Sequence, residues 1–518
     1  MRRAAPDVPC RESVSLERGV NLRKLGTLLT GIADEATIGR GGSMSVTGVF
    51  DDSRQVQPGS VFIAVRGTAV DGRQYIVDAV GRGARVVVGE DLPAREDVLV
   101  VNVPDGRAAL ARLAARWYGL EDGPAAGLKL VGVTGTNGKT TTALMLQAIV
   151  RAAGIKCGFL GTIGYDLCGR QIPAENTTPG ALQLAAALAE CAAAGAGVVV
   201  MEISSHAINQ QRVAGLRLAA AGYTNLSEDH LDYHGSLEEY RSAKAQLFAT
   251  LEPSATAVLN FDDKHVKWMS APCRARQVWY SLEKAADIEG RILGETINGT
   301  GYRLSADGDS VEVESALIGQ HNVYNALAAT GLARALGLSG ETIQAGLAGL
   351  RHVPGRLERV TCASEADVFV DYAHTEDALY KVLKVLRPLT RRRLVVVFGC
   401  GGDRDRGKRP RMAAAVAEFA DEIVVTSDNP RGEDPERIIK EILPGFNAEQ
   451  RRRVQVEPDR ARAIALGVQM AGAEDVLLIA GKGHERYQIL GNCRLHFDDV
   501  EVARRMAARV NGERGGEA

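Results

Sequence analysis

Paired cysteines, long apolar runs and a dominant charge are all missing from this sequence, and each absence removes a class of protein. The eight cysteines (Cys10, Cys157, Cys168, Cys191, Cys273, Cys362, Cys400 and Cys493) include no Cys-x-x-Cys pair. That argues against a disulfide framework and against a structural zinc site, and places the chain in a reducing cytoplasm. No apolar run reaches the roughly 18 residues a membrane helix needs, so no membrane insertion is expected. A net charge of −2 over 518 residues gives no global attraction for nucleic acid. Basic residues follow Met1 with no apolar core behind them, so no secretion signal is expected. Residues 1–21 read as a loose extension. Internal repeats and low-complexity segments are absent as well.

What is present is repeated alternation of strand-like and helix-like stretches, which favours mostly parallel sheets covered by helices. The length suits about three domains. Residues 22–124 form a first α/β unit, with strands near Ser60–Val65, Ala84–Gly89 and Val98–Asn102 and a helix near Arg107–Tyr118. The stretch Glu121–Gly127 is a linker. A second unit, 125–352, restarts at about Leu128 and closes with helical sequence from His321 to Gly349. A third, 353–518, has strands near Val368–Asp371, Leu394–Phe398, Glu422–Thr426 and Asp475–Ala480. The fold class is three consecutive α/β domains, the central one a mononucleotide-binding sheet and the C-terminal one Rossmann-like.

The chemistry starts at Leu130-Val-Gly-Val-Thr-Gly-Thr-Asn-Gly-Lys-Thr-Thr-Thr142. An apolar strand runs into Thr134, Gly135, Thr136, Asn137, Gly138, Lys139 and Thr140, and a helix follows. Glycines let backbone N–H groups close on an anion, the helix N-terminus adds positive potential, the lysine adds charge, and a threonine hydroxyl can hold Mg²⁺. The usual spacing asks for glycine at position 133, where valine stands, so this is a shorter phosphate loop.

Further polar clusters follow predicted strands, where ligands of open α/β sheets gather. Glu202 and His230 suit Mg²⁺, which prefers hard oxygen ligands and retained waters; His230 also reads as a hydrogen-bonded loop histidine. The capping box Ser236–Glu239 puts Lys244 two turns inside a helix, where pattern alone makes it a solvated surface lysine. The run Gly401–Arg411 reads either as a carboxylate- or phosphate-binding loop or as a solvated charged loop. Asp428, Asn429, Pro430 and Arg431 offer both charges, which suits a zwitterionic amino acid, or make an ordinary Asn-Pro turn.

The phosphate loop, Asn176-Thr-Thr-Pro179, Met201-Glu-Ile-Ser-Ser-His206, Asn225–Gly235, Gly319–Ala326 and Asp371-Tyr-Ala-His374 together resemble the Mur ligases, ATP-dependent amino-acid ligases of peptidoglycan synthesis. The resemblance runs from about Asp52 to Tyr487. It implies ATP contacts from the phosphate loop with Asn322, Arg356, Asp371 and His374. It implies Mg²⁺ on Thr140 and Glu202, and a second Mg²⁺ on His230 and a CO₂-derived carbamate of Lys244. Asp51, Ser53, Thr68, Ala69 and Val70 would meet the uridine nucleotide. Asn176, Thr177, Thr178, Ser204, Gln210 and Arg212 would hold the muramoyl-dipeptide. Asp428–Arg431 matches the branch that adds meso-diaminopimelate, with Arg404, Gly481 and Glu485 completing that pocket.

The implied reaction makes an acyl phosphate of a D-glutamate γ-carboxylate, which the incoming amine attacks; Lys139 and Lys244 serve the phosphates, and His206 or a water takes the amine proton. The partners are small molecules (ATP, UDP-MurNAc-L-Ala-D-Glu and meso-diaminopimelate), and the chain is expected to act as a monomer. Folylpolyglutamate synthases share the phosphate loop but should lack the uridine-binding domain and the Asp428–Arg431 motif. Two positions depart from the family pattern: Glu376 stands where proline is usual, and Asp51 replaces an apolar residue.

Overall fold

The computed structural model describes residues 22–67, 70–229, 231–362 and 364–515. The expected N-terminal extension, Thr68, Ala69 and His230 lie outside the described residues. The chain divides into two compact units.

The first unit comprises Met1–Glu289 with Ser305–Asp309 and Tyr324–Gly346. Its N-terminal part is a four-stranded parallel sheet of Val49–Phe50, Val61–Ala64, Val86–Gly89 and Leu99–Asn102. Val61–Ala64 and Val86–Gly89 are buried throughout, which explains their unbroken apolar sequence. Helix Gly106–Trp117 starts on Asp105, whose carboxylate accepts from the backbone N–H groups of Arg107 and Ala108, each at 2.9 Å. It buries Leu110, Leu113 and Trp117, the stripe its 3.6-residue period predicts.

The larger sheet of this unit has six parallel strands at its heart, in the order Cys157–Gly161, Val198–Glu202, Lys129–Thr134, Leu218–Tyr223, Thr256–Asn260 and Arg276–Ser281. Lys129–Thr134 is central, so both flanking strands deliver their C-terminal loops to the phosphate loop. The predicted capping box is present: the Ser236 hydroxyl accepts from Glu239 N at 3.1 Å and opens helix Leu237–Ala249.

The second unit comprises Gly290–Leu304, Ser310–Val323 and Leu347–Ala518. Its sheet order is Glu358–Arg359, Asp367–Asp371, Val476–Ala480, Leu394–Cys400, Glu422–Ser427 and Val454–Val456, parallel apart from the first pair. Strand Leu394–Cys400 is buried at every residue. Leu394, Val396, Phe398 and Cys400 enter one core, while Val395 and Val397 enter the core on the other face. A two-residue period therefore operates inside a sequence that shows no alternation, because helices cover both faces. Strands Val476–Ala480, Leu394–Cys400 and Glu422–Ser427 are consecutive neighbours, so the loops after them converge.

Candidate active site

The phosphate loop of the first unit is held open from below. Gly135 (φ 144°) and Gly138 (φ 84°) adopt backbone angles that disfavour side chains. A Cβ on Gly135 would meet Thr224 Oγ1 at 1.9 Å, and one on Gly138 would meet Asn325 Oδ1 at 2.3 Å. Thr136 N donates to Asn225 O at 2.8 Å and Asn137 N donates to Asn225 Oδ1 at 3.1 Å. The carbonyl of Asn137 accepts from Thr224 Oγ1 at 2.6 Å. Gly138→Ala is therefore expected to cost about 1–3 kcal/mol of stability through backbone strain and the clash, measurable by chemical denaturation.

Two lysines meet at this loop. Lys139 Nζ donates to Gly135 O at 3.0 Å and to Thr136 O at 2.8 Å. Lys244 Nζ donates to the same Gly135 carbonyl at 2.9 Å and lies 4.4 Å from the centre of the Tyr240 ring. Lys244 is only 1% exposed, which overturns the solvated-surface reading that helical position alone suggested. Burial, and next the charge of Lys139, push its amine well below the ordinary lysine value. Tyr240, Leu247 and Phe248 are buried on the same face of the helix, a stripe that contains Lys244 and that its charge alone conceals.

Thr140 Oγ1 donates to Glu202 Oε2 at 2.9 Å, and Thr162 Oγ1 reaches the same oxygen at 3.1 Å. Thr162 N donates to Glu202 Oε1 at 2.8 Å. Glu202 is 1% exposed. Among the described residues no group of three His, Cys, Asp or Glu side chains converges on a metal position. The donors here are hydroxyl and carboxylate oxygens, a set that fits Mg²⁺ with waters and phosphate filling its remaining positions. Thr162, Tyr240, Thr224 and Asn325 are parts of this site that sequence reasoning passed over. They are common residue types in loops and helices, and only the fold gives them partners.

The residues expected to hold the dipeptide form one connected cluster beside Glu202. Thr178 Oγ1 donates to Glu202 O at 2.8 Å and accepts from Ser204 N at 3.0 Å. Arg212 donates to Thr178 O at 2.6 Å and to Gln210 Oε1 at 2.8 Å. Gln210 in turn donates to Tyr233 Oη at 3.2 Å, and the Tyr233 ring lies 4.0 Å from that of His206. The hydroxyls of Thr177 and Thr162 are 3.1 Å apart. Tyr165 donates to Asn176 O at 2.6 Å. In the N-terminal part, Ser53 is buried in a short turn that opens on Asp52, whereas Asp51 and Val70 are exposed.

The second unit has its own cluster. Asp371 accepts from Leu357 N at 2.6 Å and Ala373 N at 2.7 Å, and burial raises its pKa. The Arg356 guanidinium lies 5.0 Å from the centre of the Tyr372 ring. His374 Nδ1 pairs with Tyr372 O at 2.8 Å, and burial lowers its pKa. Asn322 donates to Ile318 O at 2.8 Å. Glu376 is the first residue of helix Glu376–Leu389, capped by Thr375. It pairs with Arg411 at 3.0 Å. Proline also fits that helical position, so glutamate replaces it there without breaking the helix.

Three consecutive strand ends bring the last group together. Asn429 donates to Glu485 Oε2 at 2.8 Å, and the buried Lys482 donates to Asn429 Oδ1 and to Glu485 Oε2, each at 3.2 Å. Asp428 is 6% exposed and faces Gly481, where a Cβ would approach Asp428 Oδ2 to 2.6 Å. Arg431 (φ 55°) donates to Gly402 O at 2.8 Å. Arg404 is exposed on the loop after Cys400. The basic run divides in use. Arg409 is 0% exposed and pairs with Glu433 and Glu441 at 2.8 and 2.7 Å; these bonds hold Glu433 down at about 2. Lys408 donates to His374 O at 3.2 Å.

The chain matches the Mur ligase middle domain over residues 133–333. It matches the Mur ligase glutamate ligase domain over 355–483 and the Mur ligase family catalytic domain over 45–118. It is 44% identical over 470 residues to the UDP-N-acetylmuramoyl-L-alanyl-D-glutamate–2,6-diaminopimelate ligase of Geobacillus kaustophilus, covering 90% of this chain and 95% of that protein. The ligase of the same name from Gloeobacter violaceus is 46% identical over 466 residues, covering 89% and 94%. A solved structure of a ligase of that name superposes with a TM-score of 0.68 at 36% identity, covering 91% of this chain and 96% of its own.

Proposed function

This chain belongs to the Mur ligase family, and from that premise we propose that it joins meso-diaminopimelate to the D-glutamate γ-carboxylate of UDP-N-acetylmuramoyl-L-Ala-D-Glu at the expense of ATP. The observation that carries the substrate reading is the cluster of both charges at three adjacent strand ends. Asp428 and Glu485 supply carboxylates, Arg431 and Arg404 supply guanidinium groups, and a zwitterion with a second carboxylate needs both kinds. Lysine lacks that second carboxylate.

A carboxylate is a poor electrophile, so it is first phosphorylated, and the amine then displaces phosphate. In the first step the protein's task is positioning and charge neutralisation. Lys139 places a cation at the phosphate loop, and the N–H groups at the start of helix Lys139–Ala152 would meet the phosphates. Thr178, Ser204, Gln210 and Arg212 orient the dipeptide beside Glu202. Thr140 and Glu202 would hold Mg²⁺, which when bound neutralises phosphate charge and draws in the carboxylate. The neutral amine of buried Lys244 is the form that adds CO₂. The resulting carbamate would be an oxygen ligand for a second Mg²⁺ together with His230. His206, whose ring lies beside that of Tyr233 at the dipeptide cluster, or a water would accept the amine proton. The family role fits a cytoplasmic enzyme that uses small-molecule substrates, and among the described residues no helix is long and apolar enough to cross a membrane.

Phosphate release from ATP tests the reading. With UDP-MurNAc-L-Ala-D-Glu present, meso-diaminopimelate is expected to raise release at least about a hundredfold more than L-lysine, the scale at which a site rejects an analogue missing a charged partner. Strong release with lysine and none with diaminopimelate would overturn the substrate assignment.

A further inference from the structure

The loops carrying Asp428–Arg431 and Gly481–Glu485 rest on a buried ion pair that plays no part in the chemistry described so far. Arg460 opens helix Arg460–Met470, and Asp499 opens helix Asp499–Gly515. Both side chains are 0% exposed. Arg460 Nε donates to Asp499 Oδ1 at 2.8 Å and Nη2 donates to Oδ2 at 2.7 Å. The same guanidinium also donates from Nη1 to Ser427 O at 3.2 Å and from Nη2 to Ala480 O at 3.0 Å.

Those two carbonyls belong to the residues immediately before Asp428 and Gly481. Their strands are not hydrogen-bonded to each other, because Leu394–Cys400 lies between them. Arg460 thus spans a gap the sheet ladder leaves, and fixes the separation of the two loops. From the other side, Gln488 (9% exposed) donates through Nε2 to Asp428 O at 2.7 Å. Ile489 N donates to Asn429 Oδ1 at 3.0 Å, and Arg431 N donates to Ile489 O at 3.0 Å. The carbonyls before and at Asp428 are therefore gripped by two side chains from different elements.

A buried ion pair is often no more stabilising than an apolar pair of equal volume, so stability alone does not account for this one. A planar guanidinium that reaches one carboxylate and two carbonyls at once does something an apolar pair cannot. We propose that Arg460 and Gln488 are positioning residues for the amino-acid substrate, holding the Asp428–Arg431 loop at a set distance from Gly481 so that its charged groups meet both ends of the zwitterion. This rests on the pocket assignment made above.

Steady-state ligation by the full chain, with each substrate varied in turn, tests it. Arg431→Ala checks the pocket itself and is expected to raise KM for meso-diaminopimelate more than about tenfold. Gln488→Leu and Arg460→Lys, the latter unable to reach all three partners, are expected to raise the same KM about tenfold while KM for the UDP-linked dipeptide stays within about twofold. Asp499→Asn, which leaves both carbonyl contacts to Arg460, should lower the melting temperature more than it changes that KM. If Arg431→Ala raises KM and the other two variants leave it unchanged, the positioning role is overturned and the pocket stands. If Arg431→Ala has no effect, the pocket reading falls and the inference with it. Equal KM and melting effects from Arg460→Lys and Asp499→Asn would assign Arg460 to the fold alone. Should Arg460→Lys fail to fold, Gln488→Leu, at the rim of the loop, decides the question.

Discussion

Lys139→Ala is expected to lower ligation by about a thousandfold or more, the scale set by removing a preorganised charge from a transition state that depends on electrostatic stabilisation. The argument is local. Lys139 leads its helix directly out of the loop, and its amine returns to the carbonyls of Gly135 and Thr136 at 3.0 and 2.8 Å. Bound nucleotide offers that amine much stronger acceptors than two backbone carbonyls. Because the bonds it makes in the free protein are ordinary ones, melting should fall by no more than about 4 °C. Phosphate-release kinetics alongside a thermal melt check both halves. Near-normal turnover in the variant would remove the loop from the chemistry.

The second large effect concerns Lys244. Lys244→Ala is expected to lose at least about a hundredfold in ligation, and the wild-type chain to regain activity when bicarbonate is returned to CO₂-depleted buffer. A carbamate signal in ¹³C-bicarbonate NMR that vanishes in the variant is the accompanying readout. Stability gives an independent test. Burial holds the folded amine well below the ordinary 10.5, so between the lowered value and 10.5 the unfolded chain binds a proton that the folded chain does not. Stability contributed by this group therefore rises with pH across that window, by as much as about 1.4 kcal/mol per pH unit, and its slope vanishes below the folded value. In CO₂-depleted buffer, Lys244→Met should flatten that slope. An unchanged slope would mean the amine is not buried in its neutral form.

Much of this protein was legible before any coordinates. Strand Leu394–Cys400, with its continuous apolar sequence, had one plausible place, between two layers of helices. Thr134–Thr140 marked itself by residue types that serve phosphate and little else. Asp428–Arg431 stood out by its residue types, a carboxylate, an amide, a proline and an arginine together at a strand end, although the same residues also read as an ordinary Asn-Pro turn. Glu376 and Asp51 showed as departures, and the structure supplies the reason the first is tolerated: it opens a helix and pairs with Arg411.

Other features had no signal along the chain. Lys244 is of a charged type that helices usually leave in water, and it is buried because the phosphate loop, 109 residues away, lies against its helix. Thr162 and Thr224 are ordinary threonines until strand order sets one on Glu202 and the other beneath Gly135. Arg460 and Asp499, 39 residues apart, look like two charged helix starts, and only packing removes both from water. The sequence by itself determined which segments are strands and helices and where a glycine-rich loop with a lysine stands between a strand and a helix, because those depend on short-range periodicity and on residue types with few uses. Tertiary structure alone decided which charges are buried, which carbonyls they grip and which amine has its pKa lowered, because desolvation depends on neighbours brought in from distant parts of the chain.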